Sequence, residues 1–235
     1  MWSNVTAAFE KAFALMGEGN TLLNEIVATT MEMCVQSSLY AMLIGVPIGA
    51  LVGVARFPGR RAVVLILRTL MGLPAVAVGI LVYLLFSGTG PFGKLGLMYS
   101  VELMVIAQVI LITPVVAGFT ETAVAPAYDA MRDTAVGMGL NKAKIALLAV
   151  NETKYQLVAT YLFAFSRSIA EVGAVQIVGG NILHKTRVMT TAIALNYNMG
   201  QFSLALALGI ILMLIVLGLN VIASALQAGF RKKNG

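Results

Sequence analysis

Five long apolar runs constrain this sequence more than any other feature. They cover residues 34–55, 62–86, 100–122, 155–178 and 202–226. A transmembrane helix needs about 20 apolar residues because the hydrocarbon core of a bilayer is about 30 Å thick. Only 11% of the residues are charged, whereas a soluble domain carries roughly 25%. The sequence therefore excludes a soluble globular domain and predicts an all-α polytopic membrane protein with about five transmembrane helices.

The positions of the basic residues predict how the spans are oriented. Loops with an excess of Lys and Arg remain in the cytoplasm. Ten of the 16 basic residues lie on one side of the predicted spans: Arg56, Arg60, Arg61, Arg132, Lys142, Lys144, Lys154, Arg231, Lys232 and Lys233. This side is predicted to be cytoplasmic, with the N-terminus outside and the C-terminus inside. The same placement accounts for the net charge of +6 without a nucleic-acid partner.

The runs divide the chain into three parts. Residues 1–33 are predicted to form an N-terminal amphipathic segment, residues 34–226 the transmembrane domain, and residues 227–235 a basic cytoplasmic tail. In the first part, apolar residues follow helical spacing on one face, which predicts a helix on the outer membrane surface or, alternatively, packed on the bundle. These residues are Trp2, Val5, Phe9, Phe13 and Met16.

The segment from 123 to 154 is the only sizeable part of the sequence that is predicted to project into the cytoplasm, and its helix boundaries are predictable. Pro126 suits the first position of a helix. Gly137 and Gly139 are expected to end that helix, and Asn141 is an N-cap for a second helix of about residues 142–150. The segment should therefore contain a helix, a glycine turn and a short crossing helix.

Small residues and prolines predict two features of the membrane runs. Gly45, Gly49 and Gly53 recur at every fourth position, which lets two helices approach closely. We interpret this face as tight packing within the bundle, and the alternative is a pore or dimer face. Pro74 and Pro114 are expected to break the spans that contain them.

The sequence lacks the groups that catalysis or metal binding would need. Residues 88–93 match the dinucleotide fingerprint G-x-G-x-x-G, but they follow a membrane run and have no flanking βαβ unit. The chain has one histidine, His184, and one cysteine, Cys34, so neither a metal site nor a disulfide is expected. There is no Walker A sequence. We expect no catalytic residue, no metal and no cofactor.

The residues from Asp133 to the predicted glycine turn resemble a known motif. Asp133-Thr134-Ala135, followed by Gly139, resembles the Glu-Ala-Ala…Gly signature of permease subunits in ABC importers, with Asp and Thr replacing the first Glu and Ala. In that family this loop docks into a groove on the ATPase subunit. The resemblance implies that residues 123–154, here named the coupling segment, contact an ATPase. Its candidate residues are Asp133, Thr134, Ala135, Gly139, Leu140 and Asn141.

A second stretch narrows the resemblance. Residues 165–174 are similar to the Arg-x-x-x-Glu-x-Gly-Ala stretch of molybdate, tungstate and sulfate permeases, and residues 178–182 and 186–193 look most like the tungstate-type branch. The resemblance implies a type I-like ABC importer permease. Residues 167–181, here named the gate segment, supply the candidates for the translocation path: Arg167, Glu171, Gly173, Gly179, Gly180 and Asn181.

Two charges in the fourth run need a physical explanation of their own. Arg167 and Glu171 are four residues apart and would share one face of a helix. An isolated charge at the bilayer centre costs about 2.5–3.5 kcal/mol on insertion scales, so the two should pair or face a wet interior. One interpretation is a structural ion pair, and the other is that Arg167 helps an oxyanion to pass.

The resemblance implies a permease subunit of an ATP-driven oxyanion importer, for tungstate first and for molybdate or sulfate next. It further implies a homodimer in the inner membrane of a prokaryote, two ATPase subunits that hydrolyse ATP, and an extracytoplasmic oxyanion-binding protein. The alternative is a secondary transporter driven by an ion gradient, which would show inverted repeats and an intramembrane carboxylate. The sequence shows no repeat, and Glu171 is its one deep carboxylate.

Overall fold

Every regular element in the described part of the chain is helical in the computed structural model. The structure describes residues 6, 7, 9, 10, 13, 14 and 21–234, except the side chains of residues 222, 223 and 225–234. The helices are α1 (Thr21–Val54), α2 (Arg60–Leu70), α3 (Ala75–Phe86), α4 (Val101–Gly137), α5 (Lys142–Glu152), α6 (Lys154–Ile169), α7 (Gly173–Gly179), α8 (Met189–Asn198) and α9 (Phe202–Asn234), with a 3₁₀ turn at Gly93–Leu95.

The helix lengths agree with a polytopic membrane protein. Helices α1 and α4 and the Phe202–Val221 part of α9 are long and apolar enough to cross a bilayer. Two bent pairs, α2 with α3 and α6 with α7, bring the number of candidate spans to five if each pair is one span. Large apolar side chains such as Leu43 and Met213 are exposed on the long helices, as contact with lipid requires. The predicted fold class is confirmed.

Two predicted spans are not continuous helices. The run 62–86 is broken between α2 and α3, where Pro74 adopts an extended conformation as the N-cap of α3. This break was predicted, because a proline disfavours helical geometry at the residue before it. The run 155–178 is broken between α6 and α7, which was not predicted. That break places Glu171 outside both helices.

The predictions for Pro114 and Pro126 were wrong. Both prolines lie inside α4, so Pro114 does not break the third span and Pro126 does not begin a new helix. A proline removes one backbone hydrogen bond from a helix. Val124 and Tyr128 on either side of Pro126 are buried in an apolar cluster, and this packing keeps the helix intact.

The ends of the chain also differ from the predicted boundaries. Helix α1 begins at Thr21, well before the predicted span at residue 34, and α9 continues to Asn234 through the predicted tail. Phe9 and Phe13 are helical and exposed. Trp2, Val5 and Met16 lie outside the described residues, so the amphipathic segment remains a prediction.

The first of two compact units comprises Met1–Gln36, Pro74–Gln108 and Ser166–Ile222. One of its apolar clusters joins the start of α1, α8 and α9 around buried Ile26, Met189 and Leu208. Helices α3 and α7 pack closely in this unit. A Cβ atom on Gly79 would lie 2.8 Å from the Cα atom of Ala174, so only glycine permits this approach.

The second compact unit comprises Ser37–Leu73, Val109–Phe165 and Ala223–Gly235. The glycine face of α1 packs against α4 here, since a Cβ atom on Gly49 would lie 2.3 Å from the carbonyl oxygen of Ala117. This contact agrees with the interpretation of tight packing within one chain. Arg60 bonds the Val52 carbonyl at 2.9 Å and the buried Glu121 carboxylate at 2.8 Å, which ties the start of α2 to α1 and α4.

Candidate functional sites

The glycine turn of the coupling segment has the geometry that its sequence predicts. Gly139 has a φ of +80°, a left-handed conformation that favours glycine. The N–H of Leu140 bonds the carbonyl of Ala135 at 3.0 Å, and the N–H of Gly139 bonds the carbonyl of Val136 at 2.9 Å. This pair of bonds is a Schellman motif. It ends α4 at Gly137, as predicted.

Asn141 begins the second helix of the coupling segment. Its side chain accepts a hydrogen bond of 2.9 Å from the backbone N–H of Lys144, so the predicted N-cap is confirmed. The helix α5 ends at Glu152, two residues beyond the predicted end. Ile145 and Ala149 face inward and are fully buried against the end of α4, which fixes the crossing helix.

The outer surface of the coupling segment is partly apolar. Asp133 and Thr134 are exposed, while Ala135 is buried under the turn. Two large apolar side chains, Met138 and Leu147, are 74% and 71% exposed. Sequence reasoning missed both of them, although exposed apolar residues outside the membrane runs are typical of protein–protein contact sites. The segment therefore offers a surface with charged and apolar side chains.

The gate segment brings Arg167 and Glu171 together as predicted, but not on one helix. Helix α6 ends at Ile169, and Glu171 Oε2 still lies 3.6 Å from Arg167 Nη1. Glu171 Oε1 also accepts a bond of 3.3 Å from the N–H of Ala174 in the first turn of α7, and its backbone carbonyl accepts one of 2.9 Å from Thr190. Glu171 thus holds the bend in place.

The two charges differ in their access to solvent. The Glu171 side chain is 7% exposed and the Arg167 side chain is 38% exposed. A guanidinium has five N–H donors, and the 3.6 Å contact of Arg167 with Glu171 is an ion pair that is too long for a hydrogen bond. Arg167 therefore retains donors that an anion could use.

The glycines of the gate segment permit close helix packing. A Cβ atom on Gly173 would lie 2.8 Å from Val76 Cγ2, and one on Gly179 would lie 2.6 Å from the sulfur of Met104. Either contact is closer than real Cβ atoms approach. These two predicted gate residues therefore face neighbouring helices within their own unit.

The backbone at the end of the gate segment is strained and is held by side-chain hydrogen bonds. Gly180 and Asn181 both have positive φ, +69° and +52°. The Asn181 side-chain oxygen accepts a bond of 3.2 Å from Arg187 Nε, and Thr186 Oγ1 donates to the Gly179 carbonyl at 2.5 Å. A non-glycine residue in this conformation persists only where surrounding bonds determine it.

A buried polar pair beside the gate segment was missed by sequence reasoning. Gln108 Nε2 donates to the carbonyl of Ser168 at 3.1 Å, and the Ser168 hydroxyl donates to Gln108 Oε1. Both residues are fully buried or nearly so. Gln108 could have been found from the sequence, because it is an amide side chain within an apolar run and such a group needs a hydrogen-bond partner inside a bilayer.

No metal cluster occurs in the part of the chain that the structure describes: no three His, Cys, Asp or Glu side chains meet as ligands would. His184 instead lies in a loop, where its Nδ1 atom is 2.7 Å from Glu25 Oε2.

Comparison with known proteins gives a consistent result. The family described as "Binding-protein-dependent transport system inner membrane component" matches residues 45–233. The chain is 36% identical over 228 residues to a probable anion ABC transporter permease protein of Haloferax volcanii, covering 95% of this chain and 98% of that protein. It is 32% identical over 223 residues to the tungstate uptake system permease protein TupB of Peptoclostridium acidaminophilum, again covering 95% and 98%.

The fold has a relative among solved structures. The chain is similar, with a TM-score of 0.71 and 17% identity, to a chain in the crystal structure of a bacterial ABC transporter involved in the import of the acidic polysaccharide alginate. The match covers 93% of this chain and 82% of the other. At this identity the similarity supports the fold.

Proposed function

The chain belongs to the family of inner membrane components of binding-protein-dependent transport systems, and from this premise we propose that it carries tungstate into the cell. As a permease of an ABC importer, it acts with ATPase and binding-protein partners of the kind its family uses. The observation that carries the choice of tungstate is the 32% identity to the tungstate uptake permease over 95% of the chain. Molybdate and sulfate are the next candidates.

In this proposal the coupling segment transmits the work of a separate ATPase. The Schellman turn at Gly139 and the buried face of α5 hold Met138 and Leu147 in fixed exposed positions, which supports docking into a groove. Two ATPase subunits hydrolyse the ATP, and the permease holds no catalytic residue. Closure of the ATPases moves the docked helices as rigid bodies and switches the access of the path.

The translocation path would run between two protomers of a homodimer, and Arg167 would line it. The partial exposure of its guanidinium and its unused donors support this assignment. An oxyanion accepts hydrogen bonds from a guanidinium in the way that a carboxylate or phosphate does. An extracytoplasmic binding protein would deliver the anion and set most of the selectivity.

Reconstitution tests the proposed function. We expect proteoliposomes that contain this chain, its ATPase and its binding protein to take up radiolabelled tungstate only when ATP is present on the side of the membrane where the ATPase lies. Uptake driven by a proton or sodium gradient without ATP would instead establish a secondary transporter. Uptake of molybdate in preference to tungstate would contradict the proposal that tungstate is the substrate, but it would leave the importer class unchanged.

The orientation proposed from the basic residues has a separate test. Ten of the 16 Lys and Arg residues lie on the proposed cytoplasmic side, so a reporter that is active only in the cytoplasm should be active when fused after Gly235. The protein would therefore sit in the inner membrane with its N-terminus outside. A silent reporter in a well-expressed fusion would reject this orientation.

A further inference from the structure

Three arginines line a cleft in the second compact unit that the transport proposal does not use. The cleft has a volume of about 360 Å³ and is formed where α1 ends and α2 begins, close to α4. It is named here the basic cleft, and its lining residues are Gly53, Arg56, Phe57, Gly59, Arg60, Arg61 and Asp129. All of these residues except Asp129 belong to the end of α1, the start of α2 and the loop between them.

Two of the three arginines already have a carboxylate partner. Arg56 pairs with Asp129, and Arg60 pairs with Glu121 at 2.8 Å. The Arg61 side chain is exposed and makes no hydrogen bond or ion pair with any residue that the structure describes. The cleft therefore keeps one uncompensated positive charge, on a side chain that is free to reach a ligand.

The backbone of α2 adds to this positive potential. Helix α2 starts after Gly59, which has a φ of +93°, and it has neither a side-chain cap nor an acidic residue in its first turn. The N-terminus of a helix carries a partial positive charge that favours anions. Together with Arg61, this makes the basic cleft suited to a phosphate or a similar oxyanion.

An apolar groove lies further along the same helix. It has a volume of about 290 Å³ and lies between α1, α2 and α4. Its lining residues are Ile48, Val52, Val63, Ile66, Leu67, Leu70, Thr113, Pro114 and Ala117. Val52 adjoins Gly53 of the basic cleft, and Val63 lies two residues after Arg61, so the groove begins next to the cleft on both helices.

We propose that the basic cleft and the apolar groove together bind one anionic phospholipid. The headgroup phosphate would contact Arg61, and an acyl chain would lie along α2 in the groove. From Arg61 to Leu70 the helix rises about 14 Å, close to half of the roughly 30 Å hydrocarbon core of a bilayer. A free phosphate would leave the apolar groove unfilled, and basic pockets between membrane helices are typical sites for anionic headgroups.

Native mass spectrometry of the full chain in detergent tests the headgroup. We expect phosphatidylglycerol to bind more tightly than phosphatidylcholine, and Arg61→Gln to weaken phosphatidylglycerol binding by about fivefold, the effect of about 1 kcal/mol for one basic residue near a membrane surface. The matched control is Arg68→Gln, which removes an exposed arginine of the same helix outside the cleft. Equal effects of the two variants, or equal binding of the two lipids, would overturn the proposal.

A second pair of variants tests the groove. Ile48→Trp should fill the groove and reduce phosphatidylglycerol binding, whereas Leu43→Trp, on the same helix but outside the groove, should not. Inorganic phosphate and glycerol phosphate serve as probes without acyl chains and should compete poorly. Competition by either probe at the affinity of the lipid, or full binding by Ile48→Trp, would show a free-anion site and overturn the lipid assignment.

Discussion

Gly139→Val should leave the predicted spans inserted and reduce ATP-coupled tungstate uptake by about tenfold or more. Insertion depends on the apolar length of the spans and not on this turn. A β-branched residue at a φ of +80° costs about 1–2 kcal/mol in a left-handed conformation. The turn would relax and displace Met138 and α5 from the proposed docking position. Co-purification with the ATPase and substrate-stimulated ATP hydrolysis in liposomes measure the effect.

The matched control for this turn is Gly137→Ala. Gly137 has helical geometry, and a Cβ atom there would meet no atom within 4 Å, so this variant should couple normally. Asp133→Arg should act like Gly139→Val because it reverses a charge on the exposed side of the coupling segment. Wild-type ATPase binding and hydrolysis in both Gly139→Val and Asp133→Arg would remove the main support for coupling through this segment.

Arg167→Lys should fold normally and transport about tenfold more slowly. Lysine keeps the charge beside Glu171 but loses the planar set of donors, and one charge-assisted hydrogen bond is worth about 1.5–3 kcal/mol. The measurement is ATP-driven uptake in proteoliposomes, with thermal unfolding in detergent as the test of folding. Normal uptake by Arg167→Ala would reject the guiding role and leave the structural ion pair.

The role of Glu171 can be separated from that of Arg167. Glu171→Gln keeps an oxygen that can accept the N–H of Ala174, so the bend before α7 should persist. Glu171→Ala leaves that N–H unpaired and should unfold at a lower temperature than Glu171→Gln, since an unpaired buried donor costs about 1–3 kcal/mol. The double variant that exchanges Arg167 and Glu171 keeps an ion pair but should still be less stable than the wild type, because an arginine at position 171 has no acceptor for the Ala174 N–H.

The sequence by itself determined the membrane class and the glycine turn at Gly139. Spans depend on apolar length and composition, and both are properties of the chain alone. The turn is equally local, because Gly139 supplies the left-handed residue and Asn141 caps the next helix through a bond to Lys144 only three residues away. The resemblance of the coupling segment to the permease motif could be recognised for the same reason, since its residues are close together in the sequence.

The tertiary structure alone decided where helices continue and where they break. Pro126 looks like a helix start, yet buried Val124 and Tyr128 keep α4 continuous because packing outweighs the loss of one hydrogen bond. The fourth run looks like one helix, yet it bends before Gly173, where contacts with Val76 leave no room for a side chain. Glu171 then accepts a hydrogen bond from the first turn of α7 and also pairs with Arg167. Such contacts join residues far apart in the chain, and periodicity and spacing carry no information about them.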